Sequence, residues 1–190
     1  DFAPRIALQM GLSDPVCGLN MGQTAELLAR EGGISRAAQD AFALQSHLKA
    51  AAATERLADE ITPVYHQGKA ITGDNGIRPE QNEVALRKLR PVFDRKHGTV
   101  TAGNASQITD GAVAFLLMTE TKSAELGLKP LGVLSGYAYA GCDPSRMGLG
   151  PVYAMAKAEQ RCGLSVSQAD LVEINEAFAA QVLACTQAGA

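Results

Sequence analysis

The chain has 190 residues, 46% of them hydrophobic and 19% charged, which is enough to bury a core and excludes a solvated, disordered segment. A balance of 17 basic against 20 acidic residues gives a net charge of -3 with no basic stripe, so nucleic-acid binding has no electrostatic footprint. The longest strongly apolar run, Ala112–Met118, falls far short of the ~20 residues that span a bilayer, so no membrane span is expected.

The first residues, from Asp1, carry no basic stretch followed by an apolar one, so no signal peptide is expected from them. Cys17, Cys142, Cys162 and Cys185 are scattered and form no C-x-x-C pair, which argues against a metal site and a redox motif. The composition reads as a soluble, cytoplasmic protein of a reducing compartment.

In chain order, Thr24–Arg30 is apolar on one side and stops at Gly32-Gly33, a helix followed by its stop signal. Ser35 is placed to cap a longer helix through Arg56, with Ala38, Ala41, Phe42, Gln45 and Leu48 on one face. Ile61–Tyr65 reads as a short strand, Gly68–Pro79 as turns, and Asn82–Leu89 as a short helix closed by Pro91. Ala112–Thr119 is a continuous apolar run that suits a strand buried on both faces. A helix over Thr121–Leu126, a strand over Leu131–Ala140 and a helix over Pro151–Cys162 follow, the last opened by proline and closed by Gly163. Leu171–Ile174 reads as a strand and Glu176–Cys185 as a helix. Strands alternating with helices predict an α/β protein with a parallel sheet.

Three places carry chemistry. Asn175 would stand at the carboxyl end of a strand, where ligands gather in α/β sheets, with Glu176 at the positive end of the next helix. Its amide can hold a water or donate to a developing oxyanion, although the pattern alone favours a helix cap. The loop Thr99–Gly111 is rich in small and hydroxyl residues that let a ligand approach the backbone, and Ser106 can donate to a carbonyl or amide; the pattern alone reads as a turn. Met21 offers a soft surface to an apolar ligand arm, or serves as a core residue before a capped helix. His47, His66 and His97 do not cluster and read as surface or structural histidines, and Cys185 as a buried, inert thiol. No G-x-G-x-x-G follows a predicted strand, which counts against a generic nucleotide-binding domain.

Four ordered segments, MGQTAELLAREGGISRAAQDAFALQSH, GTVTAGNASQITDGAVAFLLMTE, GCDPSRMGLGP and NEAFAAQ, resemble the thiolase family. DNGIRPEQ and KLRPVF look more like its degradative 3-ketoacyl-CoA members than its biosynthetic acetoacetyl ones. The resemblance implies a layered α-β-α-β-α fold of two halves, with a helix-rich loop domain that covers coenzyme A. On that map residues 1–107 are part of the loop domain, 108–130 the last strand and helix of the N-terminal half, and 131–190 the start of the C-terminal half.

The implied reaction is acyl transfer. A cysteine thiolate attacks the keto carbonyl of a 3-ketoacyl-CoA, acetyl-CoA leaves, and free CoA takes the remaining acyl group. Asn175 matches the asparagine that holds a water in an oxyanion hole. Ala177 and Phe178 match positions lining the pantetheine channel, Ser106 a serine on the pantetheine arm, and Met21 and Met147 methionines beside the channel. Arg78 resembles a position near the nucleotide end of CoA. CoA and acyl-CoA are implied as substrates, with no permanently bound cofactor and no metal, and the intact protein as a homo-oligomer.

The sequence departs from the family in lacking the C-x-S motif of the nucleophile, the G-H-P-x-G histidine and the C-x-G-x-G acid/base cysteine. Asn20 stands where some relatives carry histidine. The expectation is an internal piece of a longer thiolase, inactive alone and prone to associate because its apolar strands lack neighbours. The alternative is a non-catalytic CoA- or acyl-binding module.

Overall fold

The computed structural model describes residues 11–189; the N-terminal stretch read above for a signal peptide lies almost wholly outside the described residues. Helix α1 spans Met21–Glu31. It starts three residues earlier than expected because Asn20 and Gln23 form a reciprocal cap. Asn20 Oδ1 accepts from the Gln23 N–H, and Gln23 Oε1 from the Asn20 N–H, both at 2.9 Å.

Ser35 caps α2, Arg36–Ala52, its hydroxyl accepting from the Ala38 N–H at 3.1 Å. The helix breaks at Ala53 instead of running on to Arg56, and a separate short helix, α3, covers Thr54–Ala58. At the break the Thr54 hydroxyl donates to the Ala51 carbonyl at 2.9 Å, a local bond that competes with helical continuation. The expected apolar face is also corrected. Ala38, Ala41, Gln45 and Leu48 are exposed, and α2 instead buries Gln39 and Asp40, because its inner face is a hydrogen-bonding surface for the loop at residues 99–104.

Strands β1, Val64–His66, and β2, Lys69–Ile71, form an antiparallel hairpin with Val64 opposite Ile71. Its two-residue turn, Gln67-Gly68, has φ of 48° and 74°, the left-handed geometry that matches strand twist. Helix α4, Glu83–Arg87, is capped by Asn82, and α5, Glu120–Glu125, by Thr119. A 3-10 turn at Pro144–Leu149 leads into α6, Gly150–Cys162, which ends at Gly163 in the left-handed conformation. A second 3-10 turn, Val166–Gln168, precedes α7, Ala179–Gln187.

The three strands expected at Ala112–Thr119, Leu131–Ala140 and Leu171–Ile174 do not form. Among the described residues the one sheet is the β1–β2 hairpin. Phe115 and Leu117 are 80% and 81% exposed. A doubly buried strand gains its stability from neighbours on both edges and from covered faces, and these runs meet neither here.

The core lies where α1 meets α7 and the 3-10 turn of Pro144–Leu149. Ala25, Leu28 and Ala29 from α1, Ile34, Val100, and Ala180 and Ala184 from α7 form one buried cluster. Phe93 and Phe178 pack edge to face beside it, with centroids 6.0 Å apart and planes at 82°. Backbone and ring approach closely at Gly22, where a Cβ would stand 2.2 Å from the Phe93 ring.

Candidate functional site

A buried polar network shapes the loop at residues 99–106. The Glu26 carboxylate accepts from the Thr99 N–H at 3.0 and 2.9 Å and from the Val100 N–H at 2.9 Å. Asp40 pairs with Arg36 at 2.8 Å and accepts from Asn104 Nδ2 at 2.9 Å, while Asn104 Oδ1 accepts from the Thr101 N–H at 2.8 Å. Arg36 also donates to the carbonyls of Leu86 and Leu89, which ties α4 to the same network. Polar groups this deep cost stability unless paired, so the network holds the loop in one shape.

That loop is joined directly to the segment before α7. The Ser106 N–H donates to the Ala177 carbonyl at 2.8 Å, and the Ala179 N–H to the Asn104 carbonyl at 3.0 Å, making an isolated antiparallel bridge at Ala105 and Phe178. The bridge separates two cavities. The larger, about 560 Å³, lies between α2, residues 74–77 and the loop carrying Ser106. The smaller, about 200 Å³, is lined by Met21, Leu28, Met147, Ala177, Phe178 and Gln181, among others. Asn175 lines both cavities.

The sequence-derived candidates therefore come together, with one exception. Met21, Met147, Ala177 and Phe178 share the smaller cavity, Ser106 opens on the larger, and Asn175 stands between them. Asn175 does not cap the last helix: α7 begins at Ala179, with Phe178 in the cap position and no side-chain bond there. Phe178 is extended, and Ala177–Ala179 pairs with Asn104–Ser106, which delays helix entry. Glu176 consequently lies outside the helix and accepts from the Ser46 hydroxyl. The exception is Arg78, which lines neither cavity. Its guanidinium turns back onto the Asn75 carbonyl at 2.9 Å, and the Arg78 backbone N–H donates to His47 Nδ1 at 3.2 Å.

Sequence reasoning missed Glu26, Gln181 and the placement of His47 in the larger cavity. Glu26 left one signal, a carboxylate between Ala25 and Leu28 on the apolar side of α1. Cys185 is buried, and burial pushes its thiol pKa up, away from the thiolate a nucleophile needs. Among the described residues no group of three or more acidic, His or Cys side chains could hold a metal, and no helix is long and apolar enough to cross a membrane.

Two family models cover almost all of the chain. "Thiolase, N-terminal domain" matches residues 2–121 and "Thiolase, C-terminal domain" residues 128–189. The chain belongs to the thiolase family. A 3-ketoacyl-CoA thiolase of Vibrio parahaemolyticus is 51% identical over 176 residues, 88% of this chain and 44% of that thiolase. An acetyl-CoA acetyltransferase of Chromobacterium violaceum is 50% identical over 180 residues, 91% of this chain and 46% of that protein. The chain thus spans about half the length of the curated thiolases it matches.

Solved thiolases share the fold. The acetyl-CoA acetyltransferase of Bacillus anthracis superposes with a TM-score of 0.90 at 41% identity, over 96% of this chain and 48% of that one. The human mitochondrial 3-ketoacyl-CoA thiolase in complex with CoA superposes with a TM-score of 0.86 at 38% identity, over 98% and 49%. The layered thiolase α/β fold is therefore the fold of this chain, with its sheet strands unpaired among the described residues.

Proposed function

We propose that this chain is the CoA-covering part of a thiolase that cleaves 3-ketoacyl-CoA to acetyl-CoA and a shortened acyl-CoA, or runs the reverse condensation. The convergence of Met21, Met147, Ala177, Phe178 and Asn175 on one cavity, from three distant stretches of sequence, carries this reading. Relatives named for both 3-ketoacyl and acetyl chemistry match equally well.

In this reading the attacking thiolate comes from residues outside the chain, since no C-x-S motif is present. The two methionines and Phe178 give the smaller cavity an apolar wall for the thioester-bearing arm. The rigid bridge between Asn104–Ser106 and Ala177–Ala179 holds the Asn175 amide at the cavity wall. There it orients a water toward the oxygen that gains charge as the thiolate adds to the carbonyl. Ser106 would meet an amide of the arm where the arm continues past Asn175 into the larger cavity. Arg78, next in sequence to Ile77 of the larger cavity, would meet the nucleotide end only after its guanidinium left the Asn75 carbonyl. Residues 1–107 would form the loop domain, 108–130 the end of the N-terminal half and 131–190 the start of the C-terminal half. The intact enzyme would be a cytoplasmic homo-oligomer that works in fatty-acid β-oxidation, binds CoA and acyl-CoA, and holds no permanent cofactor.

The test is steady-state thiolysis by the intact enzyme carrying Asn175→Ala. A loss of about 10²- to 10³-fold in kcat is expected for removal of one oxyanion donor. Full activity in that variant refutes the assignment. Retained CoA binding by an intact protein without any turnover would instead favour the binding-module alternative.

A further inference from the structure

The wall of the smaller cavity that carries Met147 is a six-residue 3-10 segment, Pro144–Leu149, laid across α1. Met147 itself is 43% exposed, and no polar bond holds its side chain. Its place is set by what grips the segment on either side. After it, Gly148 is pressed against the core, where a Cβ would stand 2.7 Å from both Leu28 Cδ1 and Gln181 Cγ. The Gly148 carbonyl accepts from Cys185 Sγ at 3.1 Å. Before it, Arg146 leaves the helical path, with φ of −118° and ψ of 28°, and sends its guanidinium to the far end of α1.

The guanidinium engages two carboxylates at once. Nε donates to Glu31 Oε2 at 2.8 Å, Nη2 to Glu31 Oε1, and Nη1 to Asp143 Oδ2 at 2.8 Å. Asp143 is fixed in turn by the Ser145 N–H and hydroxyl, at 2.8 and 2.7 Å. Such a forked pair fixes direction as well as distance, which a single point contact does not. Glu31 lies ten residues along α1 from Met21, or about 15 Å at the helical rise, so Arg146 acts away from the ligand end of the cavity.

We propose that Arg146, clamped by Glu31 and Asp143, is a positioning residue that seats Met147 in the cavity wall and so sets affinity for the thioester arm. The proposal rests on the reading of the smaller cavity as the site of that arm. Loss of the clamp frees the segment on one side of Met147 while the glycine seat still holds the other. Binding weakens equally in ground and transition states, which raises KM and spares kcat.

The experiment compares intact enzyme carrying Arg146→Ala, Glu31→Ala, the double variant of these two, and Met147→Ala. Each is assayed for KM of CoA, kcat and thermal midpoint. Arg146→Ala and Glu31→Ala are expected to raise KM roughly three- to tenfold with kcat within about twofold, and the double variant to do no more than Arg146→Ala alone. An unchanged KM in both single variants, with Met147→Ala raising it, overturns the clamp while the cavity reading stands. A lowered thermal midpoint with unchanged KM overturns it too, since the pair would then be structural only. An unchanged KM in Met147→Ala overturns the cavity reading and the clamp with it.

Discussion

Glu26 is a 5% exposed carboxylate whose hydrogen bonds come from Thr99 and Val100. Both oxygens are used as acceptors, so Glu26→Gln turns an amide N–H₂ toward donors and leaves buried N–H groups unpaired. A loss of ~1–3 kcal/mol in unfolding free energy is expected from urea titration, and wild-type stability in that variant contradicts the network. Glu31 behaves differently because it is at the surface. Hydrogen bonding to Arg146, followed by its charge, holds the Glu31 carboxyl below the ordinary glutamate value of 4.5. A carboxyl held low stabilises the fold while ionised, so its contribution is complete above 4.5 and is lost as pH falls through the lower folded value. The urea-midpoint gap between wild type and Arg146→Met is expected to narrow over that window. A gap independent of pH contradicts the pairing. Neither carboxylate was legible as a functional group in the sequence, because their partners are a backbone turn 73 residues away and an arginine 115 residues away. Met21, Met147, Ser106 and Asn175 are candidates through family motifs, and the structure places them along the two cavities; from composition and spacing alone none stands above a turn, a cap or a core residue.

At the scale of elements, the Ser35 cap and the glycine stops were readable because they are local: Ser35 bonds the N–H three residues on, and Gly127 and Gly163 take the left-handed φ that follows their helices. Asn82 and Thr119, expected within a helix and a strand, bond the N–H three residues on in the same way and are caps. Ser35→Ala is expected to cost about 1 kcal/mol, read from the urea midpoint, with Ser35→Thr close to wild type. The strands were not readable as formed elements. Ala112–Met118 has the right composition, yet pairing is a property of neighbours, and composition does not supply them. The inner face of α2 was misread for a related reason: Gln39 and Asp40 are inside because of the loop they hold, which no helical periodicity reports. Gly148→Ala tests how closely two elements meet. Its Cβ would press on Leu28 and Gln181, so a loss of ~1–3 kcal/mol is expected together with displacement of the Met147 wall. Unaltered stability and KM would show that the contact yields.

Over the whole molecule, exposed apolar side chains are concentrated in residues 113–118, 131–139 and 171–172. Exposed apolar side chains in such numbers drive association in water. The isolated 190-residue chain is expected to self-associate, as light scattering would show, and Phe115→Lys with Leu117→Lys to reduce it; a monodisperse monomer would refute this. The helical part carries its own core and does not depend on those runs. Within that part, α1 grips residues 99 and 100 largely through main-chain N–H groups, which every non-proline amino acid possesses. Randomising positions 102 and 107 would therefore alter the chemistry presented beside the larger cavity while the trace of the loop stays the same, giving an engineer a surface to rewrite on a fixed frame.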